Sequence, residues 1–248
     1  MVLLWREAEG VPGVVRLTQE GEVEALIAVF AAIAAEQGWR PDGALQAWAG
    51  RSVYFGLWEE RFPTRFLGGL QLLLPEVSGH LPSHLLWPEA PLYPAHGSKG
   101  PRCAHIAMLG LLAQARGHPL HFWRLGIEMW RYGVAHGLTT LFIEVTPRVL
   151  PLYRHLGWPL TVCGAPRLHW GEECYLCTME LPEVAQVLLR RAQKSRHYQA
   201  IIAQALRLAP EEAPPECGEG GLTSPVARPE DGRCLQPRSL APSPCSTT

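Results

Sequence analysis

The chain has 248 residues, of which 47% are hydrophobic, so it can build one full core but not two large domains. Its net charge of −1 provides no basic field to hold phosphate backbones, and we expect no nucleic-acid partner. The opening residues, MVLLWREAEG, lack the long apolar run of a signal peptide, and no segment is long and apolar enough to cross a bilayer. Together with an odd count of seven cysteines, these features predict a cytoplasmic protein with reduced thiols.

The first part of the chain predicts a strand, a helix and a hairpin. Val14–Leu17 has the composition of a strand, Thr18 stands at an N-cap position, and the following apolar residues recur at helical spacing. Two apolar runs, Val53–Trp58 and Phe66–Leu74, flank a charged turn that contains proline, as in a hairpin. Residues 75–102 are rich in Pro, Gly and His and predict a long loop.

The middle of the chain predicts two parallel strands joined by a helix. The run CAHIAMLGLL has strand length and is followed by the loop AQARGHP. The amphipathic stretch LHFWRLGIEMWRYGVAHG has a proline before its start and ends on a glycine, as a helix does. The next run, TTLFIEV, is apolar at nearly every position, which is typical of a strand buried on both faces. This order predicts a right-handed crossover, with ligands bound beyond the carboxyl ends of the strands.

The remainder predicts a short helix over Leu150–Leu156, a strand pair at Leu160–Cys163 and Cys174–Glu180, and a long helix from Pro182 to Leu208. Beyond this helix the composition changes.

A tail of residues 209–248 follows the globular part, which we predict to be one domain over residues 1–208. The tail holds eight prolines and four glycines and has almost no apolar periodicity. Such a segment cannot bury enough surface to offset its ordering entropy, so we predict that it is disordered.

The loop before the central helix is a candidate phosphate site. It reads Gln114-x-x-Gly117-x-Pro119, and backbone N–H groups at a helix start can hold a phosphate that a glycine allows to approach closely. Arg116 could add positive charge. An ordinary strand-to-helix turn has the same composition, so the spacing alone leaves both interpretations open.

Three side chains near the predicted strands are candidates for acid–base chemistry. Tyr153 could protonate a leaving thiolate, although a core aromatic would have the same helical spacing. Glu144 lies in an apolar strand, where a carboxylate must be paired or face a cavity, unless it lies at a strand end in solvent. His105 has the pKa range of a base for an ammonium group, although a lone histidine in a strand is often a hydrogen-bonded core residue.

No metal site is predicted. Cys174 and Cys177 lie on a predicted strand, where alternation directs their sulfur atoms to opposite faces, and no second pair answers them at zinc-site spacing.

The stretch from Gln114 to Trp158 resembles the donor-binding half of the GCN5-related N-acyltransferases. Their pattern is Q/R-x-x-G-x-G/A, a helix, a Gly-Leu turn, a strand ending in Val, and a helix with Leu-Tyr and a closing Gly-Phe. The matching residues here are Gln114, Gly117, Gly137-Leu138, Val145, Leu152-Tyr153 and Gly157-Trp158.

Other segments are similar to acyl-homoserine-lactone synthases and to the acyltransferases associated with exosortase sorting systems. The resemblance covers about residues 14–181 and includes three short motifs. These are Gly38-Trp39, Leu73-Leu74-Pro75 and Gly164-Ala165-Pro166.

The chain departs from those synthases at the positions that hold their amino substrate. Only Asp42 stands where they carry paired acidic residues, and Gln71 replaces an arginine. His105 and Met108 replace a glutamate and an arginine.

The resemblance implies an α/β fold with a mixed, mostly antiparallel central sheet, flanked by helices and containing two splayed parallel strands. It implies an N-acyltransferase that moves an acyl group from acyl-CoA or an acyl carrier protein to a small-molecule amine, such as an amino acid. A catalytically inactive binding module and a lactone synthase with a divergent amine site are the alternatives.

The resemblance also implies residue roles. Backbone N–H groups near Leu109 and Leu111 would hold the thioester carbonyl. Tyr153 would protonate the thiolate, and His105 or Glu144 would accept the ammonium proton. The donor's phosphates would bind at Gln114, Arg116, Gly117 and His118.

Overall fold

A mixed β-sheet organises the computed structural model, which describes residues 13–41, 48–59, 62–75, 81–90 and 102–207. Its strands are β1 Val14–Leu17, β2 Ser52–Glu59, β3 Phe62–Leu73, β4 Arg102–Leu111, β5 Leu138–Val145, β6 Thr161–Val162, β7 Arg167–His169 and β8 Glu172–Glu180. They follow the order β1-β2-β3-β4-β5-β8-β6, and β7 pairs with β8. Among the described strands only β4 and β5 are parallel to each other, so the mostly antiparallel α/β sheet is confirmed.

Helices connect and cover these strands. They are α1 Glu20–Gln37, α2 Ser83–Leu86, α3 Pro119–Ala135, α4 Leu150–Leu156, α5 Leu181–Ala192 and α6 Arg196–Arg207. In the part of the chain that the structure describes, no helix has the length and apolar character needed to cross a membrane. The predicted tail, residues 209–248, lies outside the described residues, and the domain boundary at residue 208 stays a prediction.

Three hydrophobic clusters pack against the sheet, and the smallest of them contains Trp87, Phe142 and Cys174. The other two cover opposite faces. Tyr54 packs in one cluster and its neighbour Phe55 in the other, and adjacent strand residues point to opposite faces. One cluster takes its helical contribution from α1, through Leu26, Ile27, Phe30 and Ile33. The other takes it from α3, α5 and α6, through Trp123, Leu125, Ile127, Leu181, Val184 and Ile201.

Three local predictions were wrong. The N-cap of α1 is Gln19, because the helix begins two residues after Thr18, and no side chain caps it. The predicted loop 75–102 contains α2, where the buried Trp87 indole donates a hydrogen bond to the Ala165 carbonyl at 3.0 Å. The predicted long terminal helix is divided between α5 and α6, which lets α6 fold back and bury Ile201.

Candidate active site

A bulge separates a paired half from an open half of the two parallel strands. The register of β4 and β5 runs from Arg102 opposite Leu138 to Ile106 opposite Ile143. Beyond that point β4 continues beside β3, and β5 continues beside β8. Ala107 is an extra residue in the β3–β4 register, as in a β-bulge. The prediction that the parallel strands splay apart is therefore confirmed.

Backbone donors of β4 face the opening. The Leu112 N–H donates to the Leu67 carbonyl at 2.8 Å, which makes these two residues a hydrogen-bonded pair of the antiparallel ladder. Because such pairs alternate, Leu109 and Leu111 belong to the positions whose N–H groups point away from β3. On that side β5 has already diverged, so these are the N–H groups that the resemblance implies for a thioester carbonyl.

Two adjoining spaces occupy the opening: an inner cavity of about 100 Å³ and an outer cleft of about 730 Å³. Glu144, His169 and Trp170 line the inner cavity, whereas Arg116 and His118 line the outer cleft. Five residues line both spaces: Trp39, Leu109, Thr146, Val149 and Tyr153.

Glu144, which lines the inner cavity, forms a buried pair with His105 behind it. The His105 Nε2 and the Glu144 Oε2 share a hydrogen bond, and both side chains are almost fully buried. Burial alone would raise the pKa of Glu144, but the charge and hydrogen bond of His105 outweigh it and lower the pKa below its usual value. Glu144 is therefore a carboxylate at neutral pH. It lines the inner cavity, whereas His105 lies behind it and does not.

His169 is a cavity residue that the sequence did not predict. It lies at the end of β7, which was not predicted either, and lines the inner cavity beside Glu144. Burial lowers the pKa of His169, and the charge of Glu144 opposes this effect only in part. The imidazole is therefore neutral at physiological pH. Its only sequence signal was a histidine in a short alternating run, RLHWG.

Tyr153 supplies a phenol at the boundary of the two spaces. Its ring centroid lies 5.3 Å from that of Phe122 and 5.3 Å from that of Trp158. Burial raises the pKa of Tyr153 to about 12, so the phenol is protonated throughout the neutral range. Its hydroxyl has no hydrogen-bond partner among the described residues. Helix α4 ends just beyond it at Gly157, whose φ of 108° requires glycine.

The predicted phosphate loop is only partly assembled around the outer cleft. Arg116 lines the cleft, but its guanidinium already contacts both carboxylate oxygens of Glu36, at 2.6 and 2.9 Å. His118 lines the cleft at the start of α3. Gln114 and Gly117 are exposed and line neither space.

Two tryptophans stand at the entrance of the inner cavity. The Trp39 and Trp170 ring centroids are 6.3 Å apart, with the planes tilted by 49°. Trp170 has a φ of +50°, an uncommon value for a bulky residue, in the turn between β7 and β8. The Trp39 Nε1 donates to the Glu172 carboxylate at 3.0 Å, and the Arg40 N–H donates to the Trp170 carbonyl at 3.0 Å. These bonds attach the turn to the end of α1.

The described residues contain no group of three or more His, Cys, Asp or Glu side chains that could hold a metal ion. Cys174 and Cys177 pack in different hydrophobic clusters on opposite faces of β8, and burial raises the pKa of each thiol to about 12.

The fold is shared with solved acyltransferase structures. The structure of FeeM, an N-acyl amino acid synthase from uncultured soil microbes, superposes with a TM-score of 0.55 at 16% identity, over 70% of this chain and 94% of that one. A CoA-dependent acyl-homoserine lactone synthase, BjaI, gives a TM-score of 0.54 at 17% identity, over 75% of this chain and 90% of that one. The lactone synthase LasI gives 0.51 at 15% identity, over 69% and 89%.

No protein-family model matches the sequence, and no curated protein matches it. The structural likenesses show that the chain has the fold of the GCN5-related N-acyltransferases, as the resemblance predicted.

Proposed function

We propose that the protein transfers an acyl group from a thioester to the primary amine of a small molecule. The observation that carries this proposal is that Glu144 and Tyr153 line one cavity at the point where β4 and β5 part. One is a carboxylate that can accept a proton, and the other is a protonated phenol that can donate one. Amide formation from a thioester requires a proton acceptor for the ammonium, and a proton donor assists the departure of the thiolate.

The proposed reaction begins with the thioester carbonyl against the N–H groups of Leu109 and Leu111. The amine nitrogen attacks the carbonyl carbon, and the two N–H groups stabilise the oxyanion that forms. The carbon–nitrogen bond is kept, the carbon–sulfur bond breaks, and the departing thiolate takes the proton of Tyr153. The nitrogen loses its second proton as the amide forms, and this proton returns Tyr153 to the phenol form. The opening between β4 and β5 holds both reactants in line, which contributes much of the rate enhancement.

The proton of the incoming ammonium goes to Glu144, directly or through His169. Glu144 faces the cavity, and His105 lies behind it. We therefore assign His105 the role of positioning residue, because its hydrogen bond fixes the carboxylate and keeps it charged.

The donor is an acyl-CoA or an acyl carrier protein, bound in the outer cleft. The cleft volume of about 730 Å³ suits a pantetheine arm, and the size falls within the usual range of small-molecule sites. Arg116, Arg148 and His118 line it and offer positive or hydrogen-bonding groups to phosphate, with Gln114 and Gly117 at the loop surface.

A screen of donors tests the proposal. Purified protein is incubated with short- and long-chain acyl-CoA and acyl-carrier-protein donors, and free thiol release is followed against a panel of amines. We expect release that depends on the amine and is strongly reduced in Glu144→Gln. Circular-dichroism spectra of the wild type and the variant check that the variant is folded. If the wild-type protein releases no thiol from any donor, the result contradicts the proposal.

A binding module without turnover is the second candidate. The pairing of Arg116 with Glu36 favours it, because this cation is already neutralised. An increase in melting temperature with acyl-CoA, without thiol release under any condition, identifies this case.

A further inference from the structure

The walls of the inner cavity carry negative and aromatic groups. Glu144 contributes a carboxylate, and Glu172 places a second one beside Trp39 at the entrance. Neither lysine nor arginine is found among the described residues that line this cavity. His169 is close enough to Glu144 for the two charges to interact, but burial keeps its imidazole neutral. The cavity therefore favours an ammonium group over a carboxylate, because no lysine or arginine among its described lining residues would neutralise a carboxylate.

The cavity is also narrow. Its volume of about 100 Å³ is much smaller than the volume of about 730 Å³ of the outer cleft. The bulk of a substituent near the nitrogen therefore counts more here than in the cleft. A carboxylate on the carbon next to nitrogen would add three heavy atoms and a negative charge beside Glu144.

The wall of this cavity offers an aromatic surface to the body of the acceptor. Trp39 and Trp170 line the inner cavity at its entrance, and their rings are tilted by 49°, so they form two walls of a wedge and not a parallel stack. Aromatic rings prefer tilted and offset contacts, and tryptophan faces also attract cations. Trp170 has a φ of +50°, and strained residues of this kind concentrate at ligand sites.

We infer that the acceptor is an aromatic primary amine without an α-carboxylate, so that an arylethylamine is acylated in preference to the corresponding amino acid. The inference rests on the proposed function and narrows its acceptor class. The nitrogen enters the inner cavity next to Glu144, and the ring lies against Trp39 and Trp170.

Three ligands with the same ring test the inference by isothermal titration calorimetry. Tyramine, tyrosinamide and tyrosine are each titrated into the full chain, with and without saturating CoA. We expect tyramine to bind at least about tenfold more tightly than tyrosine, since an unpaired buried carboxylate costs more than this ratio. Tyrosinamide separates two causes of the selection. If tyrosinamide binds as tightly as tyramine, the charge of the carboxylate causes the selection. If tyrosinamide binds as weakly as tyrosine, the size of the carboxyl group causes it.

Two variants examine the walls. Trp170→Asn keeps a residue that tolerates positive φ and removes the ring, and we expect weaker tyramine binding. Leu168→Asn, two residues earlier on β7 with its side chain exposed, is the matched control and should bind tyramine as the wild type does. Tyrosine binding as tight as tyramine, or no binding by any of the three ligands, overturns the inference.

Binding and turnover separate this inference from the proposed function. Selective tyramine binding without thiol release from any donor contradicts acyl transfer and supports the amine site. Thiol release that is faster with tyrosine than with tyramine supports acyl transfer and overturns the acceptor class.

Discussion

The two halves of the β4–β5 pair differ although they belong to the same two strands. From Arg102 to Ile106 the two strands are paired, and the β5 residues opposite them, such as Leu141 and Phe142, are fully buried. From Ala107 to Leu111 the same strand has lost β5 and borders two cavities. The paired half forms core, and the open half presents backbone donors and polar side chains. One extra residue at the bulge separates these two uses.

The largest expected effect is a difference in stability between matched truncations in the two halves. Leu141→Ala in the paired half should lower the free energy of unfolding by about 4 kcal/mol, because it leaves a cavity in packed core. Leu109→Ala in the open half should cost only about 1 kcal/mol, since that side chain already borders open space. Chemical denaturation measures both values, and equal losses would show that the open half is packed as tightly as the paired half.

A slightly smaller loss is expected when the buried pair is broken. Glu144→Ala leaves the His105 imidazole buried without its partner and should destabilise the fold by about 3 kcal/mol. Glu144→Gln keeps a hydrogen-bonding oxygen and should cost about 1 kcal/mol.

Glu89→Ala is the matched control for this measurement. It removes the exposed pair with Arg167 and should cost no more than about 1 kcal/mol. If Glu89→Ala and Glu144→Ala lower the free energy of unfolding equally, the buried pair contributes no more to stability than the exposed one.

The open half also has a functional test. Tyr153→Phe should reduce kcat by roughly 10²-fold, because the departing thiolate loses its proton donor. The free energy of unfolding should change by no more than about 0.5 kcal/mol, since the hydroxyl has no partner among the described residues. Steady-state kinetics measures the change in kcat, and chemical denaturation measures the change in the free energy of unfolding. Unchanged kcat removes Tyr153 from the mechanism.

The smallest effect is a dependence of stability on pH. The folded pKa of Glu144 lies below its unfolded value, so its contribution is present above the usual carboxyl pKa and is lost as the pH falls through the folded pKa. The folded pKa of His169 is also lowered, and stability is lost as the pH falls below about 6.5, the usual histidine value. Unfolding measured from pH 8 to about pH 2 should therefore show two losses of stability, one below the usual histidine pKa and one below the usual carboxyl pKa.

Variants assign the two losses. His169→Asn should remove the loss at the higher pH, and Glu144→Gln should remove the one at the lower pH. Identical pH profiles for wild type and both variants would show that neither group differs between the folded and unfolded states.

Local patterns sufficed to predict most of the elements that build the opening between β4 and β5. The apolar runs of β4 and β5, the amphipathic α3 between them and the Gly157 stop of α4 all follow from residues close together in the sequence. Glu144 was expected to be paired or to face a cavity, and it does both.

The contacts between distant segments could not be predicted. His105 and Glu144 are 39 positions apart, and only the parallel register brings them together. Trp39 and Trp170 meet across 131 positions, since 170 − 39 = 131, and the positive φ of Trp170 has no signature in its own residue type. Arg116 was expected to be available to phosphate, but α1 supplies Glu36 from the opposite part of the sequence.

The bidentate contact of Arg116 with Glu36 has a consequence for any anion that reaches the outer cleft. Such an anion must replace the carboxylate of Glu36 as the partner of the guanidinium. Its binding free energy from this contact is therefore the difference between two hydrogen-bonded ion pairs. Dissolved salt weakens both pairs alike, and the exchange should respond little to ionic strength. A guanidinium that is held in this way distinguishes anions by the geometry of their oxygen atoms more than by their charge. Its contact with Glu36 also fixes its orientation before an anion binds.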